Sequence, residues 1–176
     1  MIMKKRKVLI DREFWEGEKV IEIIDDFCLP DEAYLKEVVK TYRKSVTCVP
    51  RQKLWDWFAG RRSLGYVDIY NMLEEIKNDQ DNTIYVTFPR LVPIDKIMDD
   101  LGILVDVGFT YGRTQNLSKE IFSGSTTIVR ACRERTYKYL TYSKVRKMCY
   151  YLLEKLENTL DFVENSTFDY IFVPDI

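Results

Sequence analysis

Between Ile128 and Lys147 the chain places seven cationic side chains, Arg130, Arg133, Arg135, Lys138, Lys144, Arg146 and Lys147, against one acid, Glu134. The whole chain of 176 residues sums to −1, so a segment of net +6 sits on an otherwise acidic protein. Tyr137, Tyr139 and Tyr142 are interleaved with these cations. Lysine and arginine neutralise phosphates, and tyrosine faces stack on unpaired bases. The combination reads as a surface for nucleic acid or for an acidic partner. Lys144, Arg146 and Lys147 fall in the opening turns of an expected helix, where positive charge opposes the macrodipole at a cost of roughly a few tenths of a kcal/mol each. A binding role would account for that placement. The competing reading is structural: the cations pair with acids of the same chain, and the tyrosines pack inside.

Trp55 and Trp57 flank Asp56. On a helix they point about 200° apart, so the two cannot be equally buried. An exposed tryptophan suits a binding hot spot, whereas a buried one anchors a core. Lys4, Lys5, Arg6 and Lys7 form a second basic cluster, read as a solvated lead-in to a strand or as an arm on nucleic acid. The helices expected at Pro50–Ala59 and Tyr66–Asn78 have the outline of a helix-turn-helix. The second of them carries Asp68, Glu74 and Glu75 against Lys77, a balance that repels phosphate. Ordinary packing of two helices is the better account.

Enzymatic chemistry has little to stand on. The chain contains no histidine, which removes histidine-based nucleophile systems and His-ligated metal sites. Cys28, Cys48, Cys132 and Cys149 include no C-x-x-C pair, so they read as reduced thiols. No phosphate-binding glycine motif is present. Asp68 with Glu75 and Lys77 has the residue types of a metal nuclease but lies on one helix. Asp95, Asp99 and Asp100 read as the solvated face of a short helix rather than a Mg²⁺ site. No catalytic residue, cofactor or metal is therefore expected.

The elements that must position these residues follow from periodicity. Helices are expected over Gly17–Phe27, from Pro30 to about Lys44, from Pro50 to a stop at Gly60, over Tyr66–Asn78, from Pro93 to a stop at Gly102, and over Lys144–Glu164, capped by Ser143. Strands are expected at Thr83–Phe88, Ile103–Tyr111, Thr126–Cys132, Thr136–Thr141 and Phe168–Val173, from their alternation and β-formers. The fold class is α+β: a helical N-terminal half packed on a small, mainly antiparallel sheet, with a long C-terminal helix. A single domain over 1–176 is expected, with Pro89 and Pro93 bracketing the best subdomain boundary. The lack of a signal peptide or apolar span points to a cytoplasmic protein without a membrane. The scarcity of alanine, three in all, fits an AT-rich viral or mobile-element gene.

The functional expectation is a non-enzymatic binding protein acting on nucleic acid or a nucleoprotein complex. Its contact surface is Arg130, Arg133, Arg135, Tyr137, Lys138, Tyr139, Lys144, Arg146 and Lys147, with Trp55 or Trp57 as a hot spot. The alternatives are a protein–protein effector or inhibitor covering an acidic site, and a metal-dependent carboxylate enzyme.

Overall fold

The computed structural model of the protein describes residues 5–84, 88–107, 137–167 and 170–174. Strand β1 (Lys5–Leu9) leads into the short helix α1 (Arg12–Trp15) and then α2 (Glu18–Phe27). Helix α3 (Glu32–Thr41), a 3₁₀ turn at Arg43–Ser45, α4 (Arg51–Phe58) and α5 (Tyr66–Asn78) follow. Beyond them lie α6 (Ile94–Asp106), a 3₁₀ turn at Tyr137–Tyr139, the long helix α7 (Tyr142–Asn165) and strand β2 (Tyr170–Pro174).

The 24 residues of α7 span about 36 Å at 1.5 Å per residue. The helix is the spine of the core. Tyr142, Val145, Cys149, Leu152 and Leu156 recur every three to four residues and are buried. Against this stripe pack α1, α2 and α5, which bring Trp15, then Val20, Ile23 and Phe27, then Tyr66, Ile69 and Ile76. Ile94, Ile97, Leu101 and Leu104 of α6 join the same apolar cluster from beyond α2.

Helix ends are held by specific groups. Asp31 caps α3 by accepting from the Ala33 N–H at 2.9 Å. Gly60, at φ +75°, closes α4 in the left-handed region, as expected from its sequence position. Gly60 N–H donates to Trp57 O at 3.1 Å and Arg61 N–H to Asp56 O at 2.9 Å, a Schellman closure. At the far end of α7 the Arg12 guanidinium donates to Val163 O at 3.4 Å and Ser166 O at 3.1 Å, placing a cation where the last carbonyls need one. Beyond that tie, β1 and β2 pair antiparallel, in register from Leu9 with Tyr170 to Lys5 with Pro174.

The α+β expectation fails. The described residues are dominated by helix, and their strands form one two-stranded ribbon rather than a sheet on which helices pack. The strand expected at Phe168–Val173 appears as β2, and its partner begins at Lys5, so Lys5, Arg6 and Lys7 belong to the strand itself. Thr83, Ile84 and Phe88 have no regular structure, and 85–87 lie outside the described residues. Thr126–Cys132 also lies outside them. Tyr137–Tyr139 is a 3₁₀ turn, not a strand. The cap of α7 is Thr141, one turn before the rest of the basic cluster, rather than Ser143.

The most instructive failure is at Gly102. Ile103 to Tyr111 alternates with period two, but Ile97, Leu101 and Leu104 also fit period 3.6, and burial of that stripe carries α6 through the glycine to Asp106. Residues 108–111 lie outside the described structure. Gly102 is exposed, and a Cβ there would meet nothing within 4 Å. An interior helix glycine costs roughly 0.5–1 kcal/mol relative to alanine. Gly102→Ala should therefore stabilise the protein by about that amount in urea denaturation. A strand end or helix stop at this position predicts no gain or a loss.

Candidate functional site

The sequence-predicted surface is only partly within the described structure. Arg130, Arg133 and Arg135 lie outside it, as does the side chain of Tyr137. Lys138 is exposed, and Tyr139 keeps 86% of its surface in solvent. Lys144 is half-buried, and neither it nor Lys138 forms an ion pair among the described residues. Arg146 is anchored to its own protein: it donates to Leu29 O at 3.4 Å and lies 4.3 Å from the Tyr150 ring. Arg146 and Lys147 share a hollow of about 390 Å³ with Asp31 and Glu32, so this part of the surface is charge-balanced rather than purely basic. Tyr142 does not join the surface. It is buried, stacks on Tyr66 with ring centroids 5.8 Å apart, and donates its hydroxyl to Pro30 O at 2.5 Å.

The tryptophans separate as their helical spacing requires. Trp57 is 1% exposed; its Nε1 donates to Glu32 Oε1 at 3.3 Å, so it is a core anchor and offers no face to a partner. Trp55 is 39% exposed, with the Arg43 guanidinium 5.7 Å from its ring and Phe58 edge-on at 5.8 Å.

Trp55 forms part of a cleft of about 450 Å³ that sequence reasoning missed. Leu54, Trp55 and Phe58 of α4 form one wall, and the strap Val46–Pro50 forms the other. Arg43, Lys44 and Arg51 complete the lining, which contains no acid. All three cations are exposed and make no ion pair among the described residues. Glu75 of α5 holds the strap from behind. Its carboxylate accepts from the N–H groups of Thr47, at 3.0 Å, and Cys48, at 2.8 Å, and from the Thr47 hydroxyl. Burial alone would raise Glu75, but these donors outweigh it and hold the carboxyl below its usual range. Ser45 donates to Asp79 at 2.7 Å and accepts from Asn82 at 2.8 Å, fixing the strap's entry.

The acids of α5 are thus engaged within the protein, Asp68 through Lys53 at 3.3 Å and Glu74 through Lys77 at 3.1 Å. The three described thiols are all held toward the protonated form. Cys28, Cys48 and Cys149 are free. Burial and then the Glu75 carboxylate push Cys48 up to about 12, and burial raises Cys28 and Cys149. Cys132 lies outside the described residues. No group of three or more Cys, Asp or Glu residues among the described ones could hold a metal ion.

One carboxylate pair departs from expectation. Asp100 is not on the solvated face with exposed Asp95 and Asp99; it is 1% exposed and faces the equally buried Asp26 of α2. Lys96 bridges them at 2.7 Å to Asp26 and 2.8 Å to Asp100, and reaches Glu22 at 3.0 Å. Arg90 adds a contact to Asp26 at 3.4 Å. Asp100 Oδ2 is buried with no hydrogen-bond partner among the described residues, an environment that favours the protonated carboxyl. Burial first, and Asp26 second, push Asp100 up to about 6. Burial also opposes charge on Asp26, but Asp100, Lys96 and Arg90 together hold it below its usual range.

The linkage has a definite sign. A folded pKa raised above the unfolded 3.8 makes Asp100 stabilising below pH 4, and that contribution is lost as pH rises to about 6. Asparagine keeps the shape and donates to Asp26 without titrating. Asp100→Asn should gain stability relative to the parent as pH rises from 4 to 6, by at most about 1.4 kcal/mol per pH unit, and then hold a constant lead. Urea melts at pH 4, 5, 6 and 7 check this; a difference independent of pH contradicts a raised Asp100 carboxyl.

No protein-family model, curated protein or solved structure matches the chain.

Proposed function

We propose that this is a non-enzymatic binding protein that engages nucleic acid or a nucleoprotein complex through the cationic, tyrosine-bearing surface leading into α7. The observation that carries the reading is Tyr139, an aromatic ring with 86% of its surface in solvent between exposed Lys138 and half-buried Lys144. Folding normally covers such a ring, and stacking on a base covers it on binding. Lys138 and Lys144, without ion-pair partners among the described residues, supply the phosphate contacts, and Arg130, Arg133 and Arg135 extend the same charge in sequence. Arg146 and Lys147, balanced by Asp31 and Glu32, contribute less. No helix among the described residues is long and apolar enough to cross a membrane.

The test is binding of a single-stranded oligonucleotide across a salt series. Tyr139→Ala should weaken binding by roughly 1–3 kcal/mol. Lys138→Glu with Lys144→Glu should flatten the log–log salt dependence by about two contacts, roughly 0.7 each on single strands, while the helical circular dichroism is retained. A partner captured equally well after nuclease digestion would make the protein a protein–protein effector instead. Binding indifferent to all three substitutions would remove the surface.

A further inference from the structure

The cleft between the strap Val46–Pro50 and α4 shares no residue with the surface leading into α7. We propose that it is a second, independent binding site, for a small ligand that joins a flat aromatic ring to a phosphate, of the nucleoside monophosphate class.

Three observations define the occupant. The first is size. About 450 Å³ falls within the range of small-molecule sites and is too small for a folded partner's edge. The second is charge. Arg43, Lys44 and Arg51 stand around the cleft, its lining holds no acid, and none of the three has an ion-pair partner among the described residues. On a chain of net −1, three cations around one concavity, none in an ion pair among the described residues, match the charge of about −1.5 to −2 on a phosphomonoester better than the single charge of a carboxylate. Two of the three are arginines, whose planar forks match phosphate oxygens.

The third observation is shape. Trp55 is 39% exposed at the cleft's edge, braced edge-on by Phe58 at 5.8 Å and by Arg43 at 5.7 Å. A braced indole is a fixed platform, and offset stacking of a planar ring is the arrangement that covers it. Val46, Val49, Pro50 and Leu54 give the remaining apolar lining, and Thr47 completes it. The acids nearest the strap are already used: Glu75 by the Thr47 and Cys48 N–H groups, and Asp79 by Ser45. They fix the wall without facing the ligand.

The test uses the full chain and its own tryptophans. Trp15 and Trp57 are buried, so a ligand on Trp55 alters the emission of the exposed indole alone. Titration with AMP and with UMP should quench fluorescence saturably. Adenosine and inorganic phosphate, each offering half of the chemistry, should bind at least about tenfold more weakly. Lys44→Ala with Arg51→Ala, both fully on the surface, should weaken AMP binding about tenfold or more without lowering the melting temperature. Trp55→Phe should abolish the signal while calorimetry still detects binding. The proposal fails if neither nucleotide gives saturable binding by fluorescence or calorimetry at millimolar concentration. It fails equally if the double substitution leaves affinity unchanged, or if a fatty acid or acidic peptide binds where nucleotides do not. These outcomes are read on residues other than Lys138, Tyr139 and Lys144, so loss of either site leaves the other standing.

Discussion

The structure depends on the crossing at the starts of α5 and α7. Tyr66 N–H donates to Leu140 O at 3.0 Å and Tyr142 N–H to Leu64 O at 2.9 Å, a single antiparallel bridge between Gly65 and Thr141. Inside that bridge the two rings stack at 15°, both fully buried, and each hydroxyl reaches a loop carbonyl: Val92 O for Tyr66 and Pro30 O for Tyr142. Four separate stretches of chain meet on two side chains. A buried hydroxyl without its acceptor is costly, so the loops before α3 and α6 are fixed as firmly as the helices. Burial accordingly drives both phenols well above their ordinary range.

What lies outside the crossing is set by it. The bridge pins Leu140 and Thr141 against α5, and Tyr139, two residues before Thr141, stands in solvent. With α5 placed, its C-terminal half presents Glu75 and Asp79 to the strap and so shapes the Trp55 cleft. The Lys96 bridge plays the corresponding part between α2 and α6. It is polar where the rest of that contact is apolar, and a buried pair of acids tolerates one register of the two helices rather than several.

Much of this frame was legible in sequence. The stripes of α2, α5 and α7 have a period that no strand satisfies, and Gly60 sits where a left-handed residue ends a helix. The errors share one cause. Ile103–Asp106 and Tyr137–Thr141 are rich in β-formers, but strand propensity is realised only when a neighbouring strand exists, and among the described residues neither segment belongs to a named strand. The Trp55 cleft was hidden for a different reason. Arg43 and Lys44 read as ordinary cations at a helix end, and Arg51 as a helix start. Only the 3₁₀ turn that carries Arg43 and Lys44, and a strap held by a residue of α5, bring the three to one concavity. The Asp26–Asp100 pair was equally invisible, because the acidic pattern of α6 looks like a wet face until α2 is laid across it.

Arg12 sets the length of the loop that the ribbon must close. Strands drawn from distant parts of a chain face a large loop-closure entropy, and an isolated two-stranded ribbon is marginal in water. Once the guanidinium of Arg12 has seated on Val163 O and Ser166 O, the distance is no longer measured along the chain. The loop left to close is the few residues from Arg12 back to Leu9 and from Ser166 on to Tyr170. With that tie in place, the pairing from Leu9–Tyr170 to Lys5–Pro174 closes a short loop rather than one spanning most of the chain. A strand pairing between segments far apart in sequence thereby carries the closure cost of a nearly local one.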